Sequence, residues 1–146
     1  MGEDLASANV NRTYSLAAMS LAIFTFMLFF LYPRFRSGEI NPWMFQATLI
    51  IMGISTFAFV FASFHFYSAS LCARFDDAER ALYQHRADRL WVFGYTLLFL
   101  VPTLILVTIG LFAVAAVWFV LWLAYVVFEI RFYPKIETML KNARRT

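Results

Sequence analysis

The chain has 146 residues and a formal net charge of +3, with 62% apolar residues and only 14% charged ones. Soluble domains carry roughly 25% charged residues, so there are too few charges here to clothe a water-exposed surface. A soluble globular fold is excluded, and a lipid-exposed one is implied. The basic balance does not point to nucleic acid, because the basic residues flank apolar runs and suit anionic lipid headgroups instead. The one cysteine, Cys72, excludes an intramolecular disulfide.

The first apolar run covers residues 14–32 and leads into Pro33-Arg34-Phe35-Arg36. It is longer than a signal-peptide core and no small-x-small pattern follows it, so a retained span is expected. Residues 33–42 hold two prolines and a glycine and read as a loop. A second span is expected over 43–72, longer than the roughly 20 residues a bilayer core requires.

Residues 73–89 lack Gly and Pro, and Asp76 and Glu79 have capping-box spacing. The third helix is therefore expected to start near Asp77 and to run unbroken into the membrane. With the end of the second, it would form a cytoplasmic helical hairpin over 73–89.

From Leu90 to Ile130 the chain is apolar until Glu129. One helix of that length would reach about 61 Å at 1.5 Å per residue, twice the hydrocarbon thickness. Two spans are required, 90–109 and 111–131, with Gly110 as the turn because glycine suits a left-handed helix end. Pro102 is expected to kink the third span. The tail, 132–146, meets Pro134 and is expected to resume as a short amphipathic helix.

The expected fold is thus all-α: an integral membrane four-transmembrane-helix bundle with helices 2 and 3 extended into the cytoplasm. Ten of the 12 Lys and Arg residues fall on the side shared by both termini and the second loop. The positive-inside bias then places both termini in the cytoplasm.

Small polar residues recur at seven-residue spacing: Thr56, Ser63 and Ser70 on the second span, Arg89, Thr96 and Thr103 on the third. Seven residues are close to two helical turns, so each set shares a face. Such faces line a polar path, or let helices approach closely. His65 is the only histidine inside a span, and an intramembrane ionisable group is a candidate relay or ligand. With no matching His, Asp or Glu beside it, no metal site is expected. Glu129 adjoins the interior of the fourth span and is expected to pair with Arg89 or Arg131. Trp118, Trp122 and Tyr125 form an aromatic face suited to packing, or to a hydrophobic ligand.

No phosphate loop, metal-spaced Cys/His pair or nucleophile elbow is present, so neither a catalytic activity nor a cofactor is expected. Two functions fit. One is an oligomeric channel or pore, in which symmetry encloses a route that four helices cannot. The other is a non-conducting adaptor whose hairpin at 73–89 meets a cytoplasmic protein. Expected partners are membrane lipids and further copies of the chain, with no nucleic acid.

Overall fold

The computed structural model describes the backbone over residues 2–70 and 77–143, and side chains over 8–70 and 79–131. Four helices follow one another: α1 (Gly2–Arg36), α2 (Pro42–Ser70), α3 (Asp77–Thr108) and α4 (Phe112–Ala143). Each contains a segment long and apolar enough to cross a membrane: Ala8–Arg36, Pro42–Ser70, Glu79–Thr108 and Phe112–Arg131. Their mean hydropathies are 2.0 to 2.2. The protein is all-α, with the composition of a multi-pass membrane protein.

The helix ends follow local chemistry. Helix α1 does not stop at Pro33 but continues through it to Arg36. Proline removes one N–H, leaving the Phe29 carbonyl without its helical donor. The real terminus lies at Gly38, whose φ of 77° is left-handed. There the Gly38 N–H donates to the Phe35 carbonyl and the Glu39 N–H to the Arg34 carbonyl, at 3.2 and 3.0 Å. That Schellman pattern satisfies two carbonyls that a stop at Pro33 would leave exposed. The extra turn also seats Phe35 against Phe45, with ring centroids 5.4 Å apart.

Helix α2 starts on a cap that the spacing of apolar residues does not reveal. The Asn41 side-chain oxygen accepts from the N–H groups of Trp43 and Met44, and Pro42 takes the first helical position, where no donor is needed. The turn between α3 and α4 repeats the first one. Gly110 has φ 83°, its N–H donates to Val107 and that of Leu111 to Leu106. Pro102 lies inside α3 and Pro134 inside α4, and the backbone is helical through both. The tail is therefore continuous with α4 as far as Ala143, not a separate short helix. Cys72, Arg74 and Asp76 lie outside the described residues, as do the side chains of the tail.

Helices α1, α2 and α3 pack together, and α4 makes its main contacts with α3. The seams follow a seven-residue period. On α2, Phe45, Met52, Phe59 and Phe66 are buried, and so are Thr48, Ser55, Ala62 and Ala69 three residues further on. Large and small residues thus alternate along one face, as knobs and holes require. On α1 the buried row is Thr13, Ser20 and Met27; on α3 it is Ala87, Gly94, Val101 and Thr108. At the loop end Met27, Ile40 and Phe45 form one apolar cluster. At the opposite end Ala62, Phe66 and Ala87 form another, with Val10, Leu90 and Trp91 against them.

Lipid offers no hydrophobic drive for helix association, so close approach and hydrogen bonds must supply it. Both are present. Ser55 donates to the Gly94 carbonyl at 2.7 Å, joining α2 to α3. Thr56 donates to the Met52 carbonyl and accepts from Ser20 at 2.9 Å, joining α1 to α2. Trp122 donates its indole N–H to the Thr96 carbonyl at 2.9 Å, joining α4 to α3.

Candidate functional site

The first and third helices begin, and the second ends, at the same end of the molecule, where their apolar spans give way to charged residues. There a cavity of about 170 Å³ is lined from all four helices. Helix α1 contributes Asn9, Arg12 and Thr13, α2 contributes Phe66, α3 contributes Asp88 and Trp91, and α4 contributes Glu129. The Arg12 guanidinium stands 4.7 Å from the centre of the Trp91 ring, a cation–π contact that holds it over α3.

One turn further into the span the lining changes character. A groove of about 530 Å³ runs between α1, α3 and α4, lined by Leu16, Met19 and Ile23, by α3 from Tyr95 to Leu106, and by Trp118. Its walls are apolar because Leu16 and Tyr95 stand one helical turn beyond Thr13 and Trp91, inside the apolar spans. The Trp91 and Tyr95 rings stack at 4.9 Å across that step. On the other flank of the α3–α4 pair a second cleft, about 650 Å³, is lined by His85, Asp88, Arg89, Thr96, Val126 and Glu129, among others. Glu129 and Asp88 therefore border both the polar cavity and this cleft.

The residues singled out in the sequence separate into different places. Thr56 and Ser63 lie in the α1–α2–α3 interior: Thr56 bonds Ser20, and the buried Ser63 donates to its own helix at the Val60 carbonyl. Ser70 donates to Tyr67 near the end of α2. Thr96 donates to Val92 and offers its carbonyl to Trp122. The hydroxyl of Thr103 is buried without a hydrogen-bond partner. Within one protomer the five hydroxyls thus occupy different surroundings. A buried unpaired hydroxyl costs about 1–3 kcal/mol. Thr103→Val, nearly isosteric, is expected to raise resistance to unfolding in detergent by about 1 kcal/mol; a loss of stability would show that the hydroxyl is solvated.

His65 is half-buried and lies against Tyr83, with ring centroids 5.8 Å apart. Arg89 and Glu129 border the same cleft between α3 and α4. Tyr125 packs against Tyr95 and Phe99 at 6.2 and 5.3 Å, and Trp122 is tied to α3 by its indole bond. Trp118 is 40% exposed and borders the apolar groove. Among the described residues no three His, Cys, Asp or Glu side chains gather as a metal site.

Sequence reasoning passed over Asn9, Thr13, Ser20, Ser55 and Gly94, and used Arg12 only for orientation. A seven-residue signal was available for three of them, since Thr13, Ser20 and Met27 repeat at that interval, and Ser55 follows Thr48 by seven. The arrangement sets a charged cavity one helical turn from an apolar groove. No family model, curated protein or solved structure matches this chain.

Proposed function

We propose that the protein is a non-conducting membrane subunit that self-associates through the outer face of α4. One observation carries this. Ala113, Val117, Val120, Ala124 and Val127 are all exposed and follow one another at intervals of four and three residues. That spacing aligns them on a single stripe, opposite the side on which Ala115, Trp122 and Glu129 turn to α3. Bulky Phe112, Phe119 and Leu123 stand beside the stripe. The small side chains of Ala113 and Ala124 let a second helix approach closely, which is how helices associate in lipid, and the valines pack beside them. A second copy of this chain is the matching surface, since a two-fold contact brings the same stripe against itself.

Of the hydroxyls a pore would present to ions, Ser63 and Thr103 are buried inside the protomer and Thr56 is bonded to Ser20, which favours the adaptor reading over the channel. The positive-inside bias places both termini and the Asp77–Arg89 part of α3 in the cytoplasm. Leu82, His85, Arg86 and Arg89 are exposed there and form the surface on which a cytoplasmic protein would dock.

Fluorescence transfer between labelled chains in liposomes, diluted with lipid, tests the association. A dimer or higher oligomer is expected that Ala124→Trp weakens and Phe119→Ala spares. A monomer at every dilution sinks the reading. Ion or solute flux through the same liposomes would restore the channel instead.

A further inference from the structure

We propose that the polar cavity and the apolar groove together hold one phospholipid with a primary-amine headgroup. The two cavities are successive: Arg12 and Thr13 line the first and Leu16 the second, while Trp91 lines the first and Tyr95 the second. A ligand filling both is polar at one end and apolar along the rest. The groove follows α3 from Tyr95 to Leu106. Eleven residues of helix rise about 16 Å, half of the roughly 30 Å hydrocarbon core, which is the depth of one acyl chain in one leaflet.

The headgroup follows from the charges. Arg12 is a forked cation suited to a phosphate, and its stacking on Trp91 leaves its direction defined. Glu129, which α4 contributes to the same lining, accepts hydrogen bonds and offers a negative charge to an ammonium. A cation and an acid on one lining, Arg12 and Glu129, suit a zwitterion better than a purely anionic headgroup. A primary ammonium has N–H donors for the Glu129 carboxylate, whereas a quaternary one has none. A cavity of about 170 Å³ is too small to admit a partner helix.

The test is retention of lipid by the full-length chain. The protein is reconstituted in equal parts phosphatidylethanolamine, phosphatidylcholine and phosphatidylglycerol, extracted in mild detergent and weighed intact by native mass spectrometry. One phosphatidylethanolamine is expected per chain, favoured about tenfold over phosphatidylglycerol, the equivalent of one charge-assisted hydrogen bond. Glu129→Gln is expected to abolish the preference between classes while a lipid remains bound. Arg12→Gln is expected to lower occupancy by every phospholipid. Ile23→Trp fills the groove and is expected to displace the lipid while circular dichroism still reports a folded helical protein. Phe57→Ala, on the exposed face of α2, is expected to leave binding unchanged. Retention of the three lipids in their bulk ratio overturns the proposal, and so does a preference that survives Glu129→Gln.

Discussion

Replacing Gly94 with leucine is expected to force α3 away from α2 and to cost the protein much of its stability. A Cβ at this position would lie 3.1 Å from the Cβ of Ala58 and 3.2 Å from the ring of Phe59. Neither neighbour can yield. The Ala58 methyl is fixed by its backbone, and the Phe59 ring is fully buried. The close approach also brings the Ser55 hydroxyl within 2.7 Å of the Gly94 carbonyl, so separation costs a hydrogen bond as well as contacts. Overpacking of this kind typically costs about 1–3 kcal/mol, and the lost bond adds about 1 kcal/mol. Titration with a denaturing detergent, followed by far-ultraviolet circular dichroism, measures it. Gly94→Ala should lose part of that stability and Gly94→Leu most of it. Equal stability of all three would mean that α2 and α3 do not approach at Gly94.

The second large effect is expected at Gly110, for a different reason. Open space surrounds a Cβ there, so no clash arises, but φ is +83°. A β-branched residue at such an angle is a strained outlier, costing about 1–3 kcal/mol. Gly110→Val should therefore destabilise the α3–α4 turn, and Gly110→Asn should lose less, because asparagine tolerates the left-handed region. The order Gly, Asn, Val in the same titration is the expected result. Val equal to Gly would show that the turn does not need the left-handed angle. Since Leu111 donates to Leu106 only in this conformation, the strained variant also frees a carbonyl at the membrane boundary.

The contrast between these glycines shows what could be read in advance. Gly110 was visible because a 41-residue apolar run cannot be one span, and only one glycine lies near its middle. Gly94 gave no such sign: it sits within an apolar helix, and its role depends on Ala58 and Phe59, 36 and 35 residues away. Likewise the seven-residue period was legible on both α2 and α3, but not which of the parallel rows turns inward. Thr96 and Thr103 and the row Gly94–Val101–Thr108 are equally periodic. Orientation about the helix axis is set by the partner's surface, which the period does not contain.

At the charged end the same limit applies. Glu129 and Arg89 stood out because each is an ionisable group beside an apolar span, where every charge is conspicuous. Arg12 stood apart from them by more than 75 residues, and only the packing of α1 and α3 against α2 brings its guanidinium over Trp91. The stop at Gly38 in place of Pro33 is a smaller case of the same kind. Two breakers compete within six residues, and the one that satisfies carbonyls and seats Phe35 on Phe45 prevails.

The sequence by itself determined the solvent and the helices of this protein. Hydropathy and length admit only four spanning helices, since the backbone in lipid must satisfy its own hydrogen bonds. Tertiary structure alone decided which hydroxyls join helices, which face of α4 remains open, and that Arg12 and Glu129 border one cavity. The reason is physical: in a chain apolar on every side, hydrophobicity does not distinguish inside from outside. Small differences in side-chain size, together with a few interhelical hydrogen bonds, do so instead.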